Sequence, residues 1–138
     1  MNKDQLKDQY YAFIDRFGFF PTDVLVGSDA AMVIHKLRKK TSVVDVSVRN
    51  CIFDFFKVMP EVTVGYYTEA NALFTEVATH GEFPLIEIHR RYAQEEGTLV
   101  DRVFVYTVQC CLDQKQLLNR DRDQVDIEKL SNYLLHTV

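Results

Sequence analysis

Between residues 24 and 48 the hydrophobic period of the chain changes twice, and this limits the fold more than any other feature of the sequence. Val24-Leu25-Val26 is a short apolar run closed by Gly27, which fits a buried strand. After Ser28, the residues Ala31, Val33, Ile34 and Leu37 supply an apolar helical side, and Ser28 or Asp29 can accept from the free N–H groups at its start. The basic stretch Lys36-Leu37-Arg38-Lys39-Lys40 would end that helix with positive charge at the favourable end of its dipole. Residues 41–48 then follow a period of two, which sets Val44, Val46 and Val48 on one face and Val43, Asp45 and Ser47 on the other. Strand, helix and strand in so short a span point to a mixed architecture rather than a pure bundle or sandwich.

The remaining sequence extends the same pattern. Leu6, Tyr10, Phe13, Ile14 and Phe17 predict a helix over residues 3–17 ended by Gly18, and Phe19-Phe20-Pro21 a connector packed on it. Asn50 is placed to cap a short helix through Phe53, Phe56 and Val58 that stops before Pro60. Strands are expected over residues 62–64, 72–77, 83–90 and 103–106, with His80-Gly81 turning a hairpin and residues 94–97 a polar turn. Thr107 would cap a helix carrying Val108, Cys111, Leu112, Leu117 and Leu118. After a polar bend at residues 119–122, a last helix has Val125, Ile127, Leu130, Tyr133 and Leu134 as its apolar side. The expected class is α+β, a small mixed β-sheet flanked by helices, in a single domain over residues 1–138.

Composition narrows the function classes. The 16 Lys and Arg stand against 20 Asp and Glu, a formal net charge of −4, which argues against generic DNA binding through phosphate neutralisation. The N-terminus lacks the apolar core of a signal peptide, and no run approaches the ~20 apolar residues of a membrane span, so a cytoplasmic, non-membrane protein is expected. Cys51, Cys110 and Cys111 have no zinc-motif spacing and read as buried or half-buried free thiols. His35, His80, His89 and His136 likewise lack metal-ligand spacing. Residues 53–59 are apolar enough to leave an exposed patch suited to a protein partner.

The chemistry concentrates at Gly27-Ser28 and Asp45. A Gly-Ser turn at a helix start offers backbone N–H groups to a phosphate, and an acid on the neighbouring strand can hold Mg²⁺ together with substrate phosphates. The simpler alternatives are a plain strand-to-helix turn with a capping Ser, and a structural acid at Asp45 paired with Arg38 or Lys115.

The order of these features resembles the nucleotidyltransferase superfamily, in particular small stand-alone members related to type IV toxin–antitoxin nucleotidyltransferases. Their signature is a Gly-Gly or Gly-Ser turn opening a helix, followed by a stretch like HGLRxxTxDhDh with h apolar. Gly27-Ser28 matches the turn, and His35, Leu37, Arg38 and Thr41 fall in step with the later part. Asp45 matches the second acid of the pair. Toward the C-terminus, Lys115, Arg122, Asp123, Asp126 and Ile127 match the family's ending, so the resemblance runs roughly over residues 25–134.

That resemblance implies a nucleotide site with Gly27, Ser28, Arg38 and Lys115 as phosphate contacts and Asp45 with Glu87 as metal-binding, catalytic acids, Glu87 standing opposite Ile86 and Ile88 on its strand. Mg²⁺ and an NTP are the implied ligands. The sequence also departs from the pattern. Val43 occupies the first acid position, whereas two-metal transfer needs carboxylates bridging ions about 3.5–4 Å apart. Shifting the register so that Asp45 is the first acid puts Ser47 in place of the second. Lys36 stands where Gly is typical, and Asp29 is an extra acid beside the turn. The expectation is a nucleotidyltransferase-fold protein with a degenerate active site that acts by binding a nucleotide or a protein, as an antitoxin-like or inhibitory subunit. The alternatives are a weakly active Mg²⁺-dependent enzyme moving NMP from NTP to a protein or RNA hydroxyl, and a structural domain without a ligand.

Overall fold

The computed structural model describes residues 1–67 and 75–137. Helix α1 (Lys3–Phe17) begins under a reciprocal cap: the Asn2 side chain accepts from the Gln5 N–H, and the Gln5 side chain accepts from the Asn2 N–H. It stops at Gly18, whose φ of 71° is a left-handed conformation that glycine adopts without steric cost. A 3₁₀ turn (Pro21–Asp23) leads into β1 (Leu25–Gly27), α2 (Ser28–Ile34), β2 (Val44–Val48) and α3 (Asn50–Lys57). Next come β3 (Val62–Tyr67), β4 (Thr75–His80), β5 (Ile86–Arg90), β6 (Gly97–Val100) and β7 (Val103–Tyr106). The chain closes with α4 (Val108–Leu118), a second 3₁₀ turn (Asp121–Asp123) and α5 (Gln124–Thr137).

The strands form one seven-stranded sheet in the order β3-β4-β5-β2-β1-β7-β6. Pairs β1·β7 and β2·β5 are parallel and the other neighbours antiparallel, so the α+β class with a mixed sheet and flanking helices holds. The core joins Val44, Val46 and Val48 of β2 and Ile86 and Ile88 of β5 to Leu6, Tyr10, Phe13 and Ile14 of α1. At one end of that core Phe13 stacks on Phe56 at 5.7 Å and meets Phe83 edge-on at 5.4 Å, arrangements that add to the gain from burial alone. No helix among the described residues is long and apolar enough to cross a membrane.

Several local expectations are corrected. Helix α2 ends at Ile34, before the basic stretch, because the Lys36 N–H donates to Val33 O and the Leu37 N–H to Met32 O. This is the Schellman closure, and Lys36, at φ 62°, takes the left-handed place that glycine normally fills. Arg49, not Asn50, is the N-cap of α3, and no side chain caps it. The strand expected over residues 83–90 starts at Ile86, with Phe83 buried in the preceding turn. Residues 72–74 of another expected strand lie outside the described residues, and its remainder belongs to β4. Strand β6 has no counterpart among the expected strands, and Gly97 of the expected polar turn belongs to it. It is tied to β7 by the two-residue turn Asp101-Arg102, both at positive φ. Val125 is 64% exposed, since α5 turns Asp126 inward instead. Cys110 and Cys111 are buried free thiols, while Cys51 is exposed.

Candidate functional site

Strand register brings the main candidates into one row. Asp45 of β2 pairs with Gly27 of β1 on one side and with Glu87 of β5 on the other. Directly paired residues project to the same side of a sheet, so the row lies on one face, opposite the face of Val44, Val46, Ile86 and Ile88. His89 follows Glu87 by two residues, pairs with Ser47, and shares that face.

Asp45, Glu87 and His89 are all half-buried, and each offers one ligand atom within 4.8 Å of the other two. His89 Nε2 lies 3.1 Å from Asp45 Oδ1. The partner of Asp45 is therefore His89, not Arg38 or Lys115 as the structural alternative held. Burial raises the pKa of Glu87, and a hydrogen bond with Asp45 and that residue's negative charge raise it further, while His89 opposes the shift.

This has a thermodynamic consequence. A carboxyl whose folded pKa lies above its unfolded value weakens the fold once ionised, and the penalty fades as pH falls through the folded pKa. Glu87→Gln is expected to be more stable than the parent at pH 7 without metal, with the difference narrowing toward pH 4. Urea midpoints at the two pH values test this, and an unchanged difference would refute carboxylate repulsion at the site.

Gly27 is buried, and a Cβ built on it would lie 2.8 Å from Cζ of Tyr106. The Tyr106 ring thus covers the side of Gly27 where a side chain would project, and this close approach requires glycine there. Tyr106 is held at its side chain and at its backbone. Its hydroxyl donates to Glu95 Oε1 at 2.6 Å, and its carbonyl oxygen lies 2.7 Å from His35 Nε2. Burial, then the Glu95 carboxylate, push the phenol pKa up, so it stays protonated. Ser28 has φ 55°, a strained value for a residue with a Cβ. Gly27 is the N-cap of α2 and no side chain caps the helix, so the expected cap by Ser28 or Asp29 is absent.

Arg38 and Lys115 are brought together, but around acids. Lys115, its side chain 3% exposed, places Nζ 2.7 Å from Asp29 Oδ1, 3.2 Å from Asp126 Oδ2 and 3.5 Å from Asp123 Oδ1. Arg38 Nη1 lies 3.1 Å from Asp126 and 3.5 Å from Asp29, and Arg120 Nε 2.7 Å from Asp123. Burial works to lower the Lys115 pKa, but the Asp29 and Asp126 carboxylates outweigh it and the net shift is upward. Both cations thus face carboxylates that match their charge, and through them they tie α2 to α4 and α5. The same network neutralises Asp29, the extra acid beside the turn.

Val43 lies just before β2, half-buried, and its carbonyl accepts from the Thr41 hydroxyl at 2.9 Å. Ser47 is buried, so it does not replace the missing acid as an accessible ligand. The residue missed by sequence reasoning is His89. The signal for it was its two-residue spacing from Glu87, which puts both on one strand face.

No protein-family model and no curated protein matches the sequence. Among solved structures the chain is similar to the crystal structure of JHP933 from Helicobacter pylori, with 11% sequence identity and a TM-score of 0.43. The match covers 82% of this chain and 55% of that one, so this chain spans about half the length of that protein.

Proposed function

We propose that this chain is a nucleotidyltransferase-like binding protein that holds a divalent cation at Asp45 and Glu87 and, through it, the phosphates of a nucleotide. The observation that carries the reading is the alignment of Gly27, Asp45 and Glu87 across three adjacent strands. It puts two carboxylates beside the turn whose backbone N–H groups would meet a phosphate. A cation there would offset the burial and the nearby Asp45 carboxylate that together raise the Glu87 pKa.

Transfer needs more than binding. In-line displacement is served by acids that bridge two ions, and Val43 leaves this strand with one acid. The reading therefore assigns the protein a binding or regulatory role toward a nucleotide or a protein partner, in the manner of an antitoxin or an inhibitory subunit. His89 favours a second reading, since a third ligand could support slow NMP transfer to a protein or RNA hydroxyl around a single ion.

Calorimetric titration with ATP, CTP, GTP and UTP, with and without divalent cation, tests the proposal. Cation-dependent micromolar binding is expected, weakened at least about tenfold by Asp45→Ala, which corresponds to about 1.4 kcal/mol. No binding of any nucleotide under either condition would overturn it. Transfer of label from an α-labelled NTP to an acceptor would decide for the second reading.

A further inference from the structure

We propose that the cation at Asp45 and Glu87 is a first-row transition ion of the Mn²⁺ to Zn²⁺ series rather than Mg²⁺, with Nε2 of His89 as its third protein ligand. This rests on the reading of Asp45 and Glu87 as a cation site and adds the identity of the ion.

The spacing of the three ligand atoms suits one small divalent ion. Protein ligands bind Zn²⁺ at about 2.0–2.2 Å, so two ligand atoms on one ion stand roughly 3.0–3.5 Å apart. His89 Nε2 and Asp45 Oδ1 are separated by 3.1 Å, and Glu87 brings the third atom within 4.8 Å of both. All three residues stand on the paired parallel strands β2 and β5, so backbone spacing rather than a loop sets their approach.

Donor chemistry points the same way. Mg²⁺ is a hard ion that takes oxygen ligands and keeps several waters, whereas an imidazole nitrogen suits the later divalent ions. Two carboxylates and a neutral imidazole carry two negative charges, which balance a divalent cation. The half-buried placement leaves coordination positions open to water or a ligand, as in zinc sites that bind substrate.

Finally, no protein cation takes this place. Arg90 turns to Asp54, at 2.8 Å, and to Glu76, and Arg91 donates to the carbonyl oxygens of Asp23 and Ser47, both at 3.1 Å. Among the described residues, no Lys or Arg forms an ion pair with Asp45 or Glu87.

The test uses metal-stripped protein on a Cys51→Ser background, because the exposed Cys51 thiol would otherwise compete for metal. Co²⁺ is titrated while its visible d–d absorbance is followed, Zn²⁺ is measured by displacement of Co²⁺, and Mg²⁺ by calorimetry. The expected result is one Co²⁺ per chain with a d–d band, displaced by Zn²⁺. His89→Gln should weaken Co²⁺ and Zn²⁺ at least about tenfold and leave Mg²⁺ affinity unchanged, with circular dichroism confirming the fold. Because most N/O sites favour Zn²⁺ over Mg²⁺ in raw affinity, the dependence on His89 is the deciding readout. Binding of Mg²⁺ that needs Asp45 and Glu87, with Zn²⁺ affinity indifferent to His89→Gln, would overturn the inference and leave the cation site standing. Binding of no divalent cation at all would overturn both.

Discussion

Replacing Lys115 by methionine is expected to lower the stability of the fold by about 3–5 kcal/mol at pH 7, the usual cost of removing one partner from a buried ion network. Methionine keeps much of the apolar stem, so the loss isolates the charge. The ammonium is within 3.5 Å of three carboxylates, and two of these, Asp123 and Asp126, have side chains 2% and 9% exposed. Arg120 and Arg38 remain as partial partners, which keeps the loss from rising further.

The pH dependence has a definite sign. Burial alone would raise the Asp123 pKa, but the hydrogen bonds from Arg120 and the charge of Lys115 outweigh it and hold the carboxyl low. Its ionised form therefore adds stability above the unfolded pKa, and that contribution is lost as pH falls through the folded value. In Lys115→Met the orphaned acids protonate more readily, so the gap to the parent should shrink as pH is lowered toward 4. Guanidinium unfolding at pH 7 and pH 4 checks this, and adding Asp126→Asn to Lys115→Met should recover part of the loss. A deficit under about 1 kcal/mol at pH 7 would mean that the arginines alone satisfy the acids.

This network also marks where sequence reasoning reaches its limit. Lys115 and Arg38 are visible in the sequence as cations at positions where a phosphate contact is expected. What engages them is Asp29, 86 residues from Lys115, and Asp126, 88 residues from Arg38, and long-range pairing of that kind leaves no local signal. Local chemistry was legible where a single residue decides it. Gly18 ends α1 because of its left-handed φ, and Thr107 begins α4 because its side chain accepts from the Cys110 N–H at 3.1 Å.

The same chemistry misled where other residues adopt glycine-like conformations. Lys36 closes α2 at φ 62°, and Asp101-Arg102 turns the β6–β7 hairpin without the Asn-Gly or Asp-Gly signal that would have revealed it. At the site, alternation put Asp45 and Glu87 each on the polar face of its own strand. Only the parallel register of β2 and β5 makes them neighbours, and only that register makes His89 part of their group.

Gly27→Ala is expected to destabilise the protein by about 2–4 kcal/mol, because the new methyl group would enter the Tyr106 ring. The backbone is not the obstacle, since φ at Gly27 is −124°, which any residue adopts. The obstacle is contact: Cζ, Cε2 and Cε1 of Tyr106 would lie 2.8, 3.0 and 3.1 Å from the added carbon. The ring is 4% exposed and fixed through the Glu95 hydrogen bond, so moving it both overpacks the core and pulls the hydroxyl from its acceptor.

Tyr106→Leu in the same chain should relieve the clash, and the double variant should be more stable than the sum of the single losses by at least about 1 kcal/mol. Denaturant midpoints of the four proteins measure that coupling, and strict additivity would remove Tyr106 as the cause. The result also bears on the phosphate turn. If Gly27 is needed for packing, Gly27→Ala will lower stability in the absence of any ligand, while the double variant, its turn relaxed, will keep the nucleotide affinity of the parent. A double variant that folds normally and yet loses that affinity would show that the Tyr106 ring, which fills the space beside Gly27, helps to shape the phosphate turn.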